Sequence, residues 1–298
     1  MAVKTGNYTY LLENTPSVLS FGAVGSKKES EGPLGQYFDV INPDSSFGES
    51  SWEKAESKMV QISVGQALSK GNFEADQIDM AFAGDLLNQC IGSVYGLRDL
   101  GIPFVGLYGA CSTMAESLAL AALFVDTAIA KKALAVTSSH FCSAERQFRF
   151  PLEYGGQRPP TAQWTVTGSG ACVVGESDAA PFVRAVTLGC IEDLGIKDAN
   201  NMGAAMAPAA CATLAQFFRD TYSAPEDYDL ILTGDLGFVG AALLRELMSK
   251  EGFALGENYN DCGLLIYDRK RQQVEAGASG CGCSAAVASG HVLPRMKR

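Results

Sequence analysis

The chain has 298 residues, 47% hydrophobic and 19% charged, enough to bury one large core or two fused ones of ordinary domain size. A net charge of -10 argues against nucleic acid or an anionic membrane surface as the main partner, because both reward clustered Lys and Arg. Nine cysteines are scattered through apolar or glycine-rich stretches without a Cys-x-x-Cys pair, so buried thiols in a reducing compartment are expected, with no metal site and no cofactor.

The opening stretch, MAVKTGNYTYLLENTPSVLSF, has no apolar core of signal-peptide type. No segment approaches the ~20 apolar residues that a spanning helix needs, so a cytoplasmic or peripheral location is expected. Residues 50–53 read as a capping box that starts a helix carrying Trp52, Ala55, Met59 and Val60 on one face and ending near Gly71. IDMAFAG and IPFVGLYG then read as buried strands, residues 113–130 as a helix, and KALAVTSS as a third strand. This alternation predicts an α/β fold with a mostly parallel sheet covered on both faces. Residues 140–163 form an excursion rich in Arg, Pro, Gly and aromatics, too long for an ordinary connection, and the strand pattern TVTGSGACVVGE follows it.

An internal repeat organises the rest. QIDMAFAGDLLNQ and DYDLILTGDLGFV share an acidic residue, a buried strand and a Gly-Asp-Leu turn, and each is followed further on by a Cys-Ser before small residues. The chain therefore divides into two copies of one α/β unit, residues 1–178 and 179–298, with the boundary in the polar run ESDAAP. By repeat symmetry two more strands are expected after the second Cys-Ser helix, so the second half reads as C-terminally truncated.

Cys111 lies where a strand gives way to a helix, close to unpaired backbone N-H groups and the positive end of the helix dipole. Position alone leaves two readings open: a nucleophile with half an oxyanion hole beside it, or a small residue at a crowded turn. The chain has only two histidines, His140 and His291. His140 ends the third strand, where α/β sheets place their sites, and is the candidate base; His291 reads better as a cation near a helix end. Asp85 and Asp235 occupy equivalent turns, as acid/base groups or, by preference, as helix caps, with Asn88 pointing into the same crevice. Arg146 and Arg149 could fork an anionic ligand or form surface ion pairs.

Together, the strand-Gly-Ala-Cys-Ser-helix, the closing TVTGSGACVV and the Gly-Cys-Ser-Ala-Ala turn of the second half resemble the thiolase-like superfamily, above all its ketoacyl synthase III branch. The ordered blocks GPLGQYFD, AGDLLNQ, GACST, TSSHFCSAERQFR, EYGGQ, TVTGSGA, DLGI, MAPAA, DYDLILTGDL and DCGLLIY are similar, more closely, to the stage V sporulation protein AD family. That resemblance implies a five-layer αβαβα fold, a homodimer, and a chain that normally continues beyond this point. It also implies a role in moving dipicolinic acid, free or as its calcium chelate, into the developing spore alongside other membrane-associated stage V sporulation proteins, from a place at the forespore inner membrane.

Ketoacyl synthase III pairs its cysteine with a histidine and an asparagine from the second half. The corresponding turns here read Thr233-Gly234-Asp235 and Gly282-Cys283-Ser284, so neither partner is present. Losing an oxyanion donor costs ~10²- to 10³-fold in rate. The resemblance therefore points to ligand binding in a degenerate acyl-enzyme crevice, with Cys111, Ser112, His140, Arg146, Arg149, Asp85, Asn88, Asp235 and Cys283 as candidate contacts. A residual acyltransferase with Cys111 as nucleophile, or a scaffold that binds no ligand, are the alternatives.

Overall fold

The computed structural model describes residues 2–148 and 156–297. Two short strands, β1 (Val3–Thr5) and β2 (Thr9–Leu11), make an opening hairpin. The long β3 (Ser17–Ser26) leads through one turn of helix, α1 (Lys27–Ser30), to β4 (Val40–Asn42) and then to α2 (Trp52–Gly71). Ser51 caps α2 by accepting a bond from Lys54 N at 3.3 Å, one residue beyond the start read from the sequence. Next come β5 (Met80–Gly84), α3 (Ile91–Leu97), β6 (Phe104–Leu107), α4 (Thr113–Asp126) and β7 (Lys132–Ser139) as consecutive strand-helix-strand units. α5 (Phe141–Phe148) opens the excursion, and β8 (Trp164–Thr165) and β9 (Gly168–Gly175) close it.

The six long-range strands of this half form one sheet in the order β4-β3-β9-β7-β5-β6, with β9 antiparallel to both neighbours and the others parallel to one another. Side chains alternate across it with the period of two that a strand imposes. Leu134 and Val136 of β7 meet Val60 and Val64 of α2 and Leu97 of α3 on one face. Ala133 and Ala135 meet Ala121, Ala122 and Val125 of α4 on the other. Each fully buried Val or Leu contributes about 1.5–3 kcal/mol, so the sheet is held from both sides.

The second half supplies β10 (Ala185–Thr187), α6 (Met202–Thr221), β11 (Ile231–Thr233), α7 (Gly237–Lys250), β12 (Tyr259–Asp261), α8 (Cys262–Leu265), β13 (Ala278–Ser279) and α9 (Cys281–Val287). A π-helical turn, Ala288–Val292, leads on to α10 (Leu293–Met296). The run β11-α7-β12 followed by α9 repeats β5-α3-β6 followed by α4, as the sequence repeat requires. β11 and β12 pair in parallel, while β10 joins β2 in the opening hairpin's sheet. Ile231 packs among α6 and α7, whereas its neighbour Leu232 faces the α9 cluster, so the layers run α2/α3, large sheet, α4/α9, small sheet, α6/α7. The fold is thus the five-layer arrangement expected, with a second sheet of two strands among the described residues.

Three polar devices lock the halves together. β13 pairs with β8. Asp220 of α6 accepts bonds from Asn7 N, Tyr8 N, Thr9 N and Thr9 Oγ1 at 2.9, 2.9, 3.1 and 2.9 Å, which ties the opening hairpin to the second half. Burial pushes that carboxyl upward, yet the donated bonds win and hold it well below the usual carboxylate range. The third is buried: Glu29 Oε1 accepts the Tyr267 hydroxyl and Thr167 N (3.0 Å), and its Oε2 accepts Ser26 Oγ (2.6 Å) and Ser26 N (3.3 Å).

Candidate functional site

β5, β6 and β7 run parallel, so their C-terminal ends open on one side of the sheet, where ligand crevices of α/β folds lie. β6 ends at Leu107, and after Tyr108-Gly109 a single 3₁₀ turn, Ala110–Ser112, delivers the chain into α4. Ala110 has φ +49°, a left-handed conformation that costs a non-glycine residue about 1 kcal/mol and puts a sharp corner directly before Cys111. The corner is fixed by Ser112 Oγ and Ser112 N donating to Gly109 O (2.8 and 3.1 Å) and by Thr113 Oγ1 donating to Ala110 O (2.7 Å). Cys111 is half-buried and Ser112 exposed.

The first turn of α9 closes the crevice from the second half. Its approach requires glycine: a Cβ on Gly282 would lie 2.4 Å from Ser139 Oγ and 2.6 Å from Gly168 O. Cys281, fully buried, donates its thiol to Ser138 O at 3.1 Å. Asp235 anchors this turn, with Oδ2 accepting Gly280 N at 2.6 Å, while its backbone carbonyl accepts Gln163 Nε2 at 2.7 Å. Cys111 lies near enough to Cys281 and Cys283 to raise their thiols, which burial already pushes well above the ordinary range.

Carboxyls dominate the floor. Asp85, buried after β5, accepts Leu87 N (2.9 Å), Ser93 N (2.7 Å) and Ser93 Oγ (2.7 Å), and so secures the start of α3. Glu56 of α2, also buried, accepts the hydroxyls of Ser138 (3.0 Å) and Ser143 (2.8 Å). Burial, then the neighbouring Asp85, pushes Glu56 up to about 8. Asp261 ends β12 and accepts Thr233 Oγ1 (2.7 Å), Leu236 N (2.9 Å) and Gly237 N (2.9 Å); burial is the main reason its carboxyl rises to about 6.

The residues singled out from the sequence divide accordingly. Cys111 and Ser112 form the corner before α4; Asp85 is buried and fills the capping role at the start of α3, whereas Asp235 holds the start of α9 and leaves the start of α7, the helix after its own strand, to Asp261. His140 is corrected as a base. It is buried beside Trp52; its Nε2 is 2.8 Å from Ser45 O and its Nδ1 accepts Cys142 N at 3.1 Å, so the ring is the Nε2-H tautomer with no lone pair left to take a proton. Burial lowers its pKa, in keeping with a neutral structural ring. Arg146 is partnered by Glu53 rather than poised for an anion. Arg149 lies outside the described residues. Asn88 is exposed, with its backbone N-H 3.4 Å from Gln147 Oε1. Cys283 is also corrected: it is fully buried among Val166, Cys262 and Ala286 and offers no surface to a ligand. His291 packs tilted against Tyr37, with ring centroids 4.9 Å apart, and its Nε2 lies 3.0 Å from Arg295.

Three residues of the site escaped sequence reasoning. Glu56 was detectable, because it falls four residues after Trp52, inside the apolar stripe of α2. Gln163, which also donates to Ala278 O at 2.6 Å, and Asp261 carried no local signal, since their roles depend on a junction between halves.

The fold is shared with 3-oxoacyl-[acyl-carrier-protein] synthase III from Aquifex aeolicus, at 14% identity, TM-score 0.56, and 91% and 89% coverage of this chain and that one. It is shared too with a single-substitution variant of OleA from Xanthomonas campestris, at 14% identity, TM-score 0.62, and 94% and 89% coverage, and with the tetronic acid condensing enzyme AbyA1, at 16% identity, TM-score 0.60, and 94% and 92% coverage. These likenesses establish a thiolase-like fold. Stage V sporulation protein AD of Bacillus subtilis (strain 168) is 46% identical over 293 residues, spanning 98% of this chain and 86% of that protein. Residues 6–298 match the family described as Stage V sporulation protein AD (SpoVAD), and the chain belongs to that family.

Proposed function

We propose that this protein is the dipicolinate-binding component of the machinery that carries dipicolinic acid into the spore, and that the crevice at Cys111 is its binding site. The observation that carries this reading is the absence of imidazole chemistry at a well-formed cysteine corner. Both nitrogens of His140 are occupied by backbone groups, and His291 is engaged with Tyr37 and Arg295. The strand-corner-helix shape is kept, while both histidines of the chain are engaged elsewhere.

A planar dicarboxylate suits this corner in part. The backbone N-H groups at the start of α4 offer donors, but the carboxyl-rich floor opposes a bare dianion, which favours the calcium chelate as the bound form. Titration calorimetry with sodium dipicolinate and with calcium dipicolinate tests the reading. Saturable heat with either supports it; no heat with both, while circular dichroism shows an intact fold, refutes it.

The outer edge of β6 supports a homodimer. Val105, on that edge strand, is exposed, and Ile91, Val94, Tyr95 and Tyr108 lie exposed on the flanking segments. No helix among the described residues is long and apolar enough to cross a membrane, so attachment at the forespore membrane would come through other stage V sporulation proteins. The second reading, a residual acyltransferase, draws on the strained corner at Ala110, and an acyl adduct on Cys111 after incubation with acyl thioesters, seen by mass spectrometry, would support it.

A further inference from the structure

Glu56 and Asp85 are both buried, both lie under the Cys111 crevice, and differ in the donors they receive. Asp85 takes three donated bonds, two of them from backbone N-H groups that cannot reverse. Glu56 takes only the hydroxyls of Ser138 and Ser143, each of which can rotate to accept instead of donate. A Cβ placed on Gly92 would meet Glu56 Cγ at 3.1 Å and Asp85 Oδ2 at 3.2 Å, so the two side chains share one wall. Two buried like charges side by side without a cation are not both sustained, and the group with the reversible partners is the one that keeps a proton.

The surroundings supply no compensating charge. From its own helix Glu56 faces Glu53, which is bound to Arg146 of α5. On α5, Glu145 is taken by Arg158 at 2.7 Å. β7 offers Ser138, and beyond it His140 is neutral with both nitrogens engaged. β3 and β9 meet α2 through apolar side chains and the Ser63–Ser169 hydroxyl pair at 2.7 Å. α3 contributes Gly92 and Ser93, and α9 contributes the thiol of Cys281, which also feels the charge on Glu56. Among the described residues no Lys or Arg is ion-paired with Glu56 or Asp85.

Glu56 connects directly to the crevice. Ser138 donates its hydroxyl to Glu56, and the carbonyl of the same residue receives the Cys281 thiol of the turn that faces Cys111. We infer that Glu56 and Asp85 form a one-proton pair beneath the crevice, with the proton on Glu56, and that loss of this proton expels an anionic ligand. Glu56 is a positioning residue here, acting on the ligand through Ser138 and the field of the pair. The inference rests on the dipicolinate reading for its ligand but not for its proton.

Two measurements separate those parts. The first is dipicolinate affinity by calorimetry from about pH 6.5 to about pH 9.5, a range in which the ligand stays a dianion. In the unaltered protein Kd is expected to rise about tenfold per pH unit above a midpoint near 8, while in Glu56→Gln the dependence flattens to about twofold across the range. Cys111→Ser keeps the slope, which separates the pair from the thiol. An unchanged slope in Glu56→Gln, or a flat profile in the unaltered protein, overturns the gate. The second is infrared spectroscopy of the protein alone. A buried protonated-carboxyl band that fades near pH 8 and is missing from Glu56→Gln supports the pair even if dipicolinate never binds, and absence of that band from the unaltered protein overturns it.

Discussion

Replacing Tyr267 by Phe removes one hydroxyl from the interior and leaves the ring in place. That hydroxyl belongs to a residue 2% exposed and donates to Glu29, itself 1% exposed. Thr167 N then remains as donor to Oε1, and Ser26 to Oε2. A hydrogen bond to a carboxylate contributes ~1.5–3 kcal/mol, and the void left by one oxygen adds only about a few tenths. Tyr267→Phe should therefore destabilise the fold by about 2–3 kcal/mol. Glu29→Gln should cost more, about 3–5 kcal/mol, because an amide N-H would be set against groups that themselves donate. Urea denaturation at neutral pH, followed by circular dichroism, reads this as a lower midpoint at unchanged slope. A Tyr267→Phe loss below about 0.5 kcal/mol would show that Glu29 is satisfied without Tyr267, and the idea that this bond locks the two halves would fall.

Four further outcomes are expected. Ala110→Gly should stabilise the protein by about 1 kcal/mol by relieving the left-handed corner, and a destabilised variant in thermal denaturation would contradict that conformation. Iodoacetamide should label exposed Cys190 and half-buried Cys111 and Cys142 well before Cys172, Cys262, Cys281 and Cys283, whose thiols burial pushes upward; peptide mass spectrometry showing equal rates would refute this order. Burial raises Glu56 from the ordinary 4.5 to about 8, so it favours the folded state fully below its unfolded pKa, and that contribution is lost as pH rises toward 8. The loss is up to about 5 kcal/mol, and a pH series of unfolding curves should show it shrinking in Glu56→Gln. Asp220 has the opposite sign. Its stabilisation is present above the unfolded carboxyl range and disappears on acidification, and Asp220→Ala should expose the opening hairpin to limited proteolysis at neutral pH.

In the first half α2, β5, α4 and β7 were legible because each obeys one period, whereas β6, read as a buried strand, is an edge strand with Val105 and Gly106 exposed. β7 matches its predicted span residue for residue, and α2 begins within a residue of its cap, since both are set by local patterns of apolar and capping residues. The repeat made β11 and α9 readable as well. The site was less legible. His140 sits where a catalytic residue would, but whether a histidine is a base or a brace depends on who occupies its two nitrogens, and Ser45 comes from 95 positions away. Cys283 aligned with Cys111 by motif, yet α9 starts at Cys281, two residues earlier, so Cys283 turns into the core. Glu56 is the opposite case: its position within an apolar stripe was visible, while its pairing with Asp85 required the packing of α3 on α2 to be known.

The capping aspartates carry a lesson about how duplicated chains diverge. In the first copy Asp85 holds the helix that follows its own strand. In the second, Asp261 from the neighbouring strand has taken over that duty for α7, and Asp235 has been released to grip the turn beside Cys111. One hydrogen-bonding task falls to different residues on the same backbone plan, so positions that match in the sequence repeat do not match in labour.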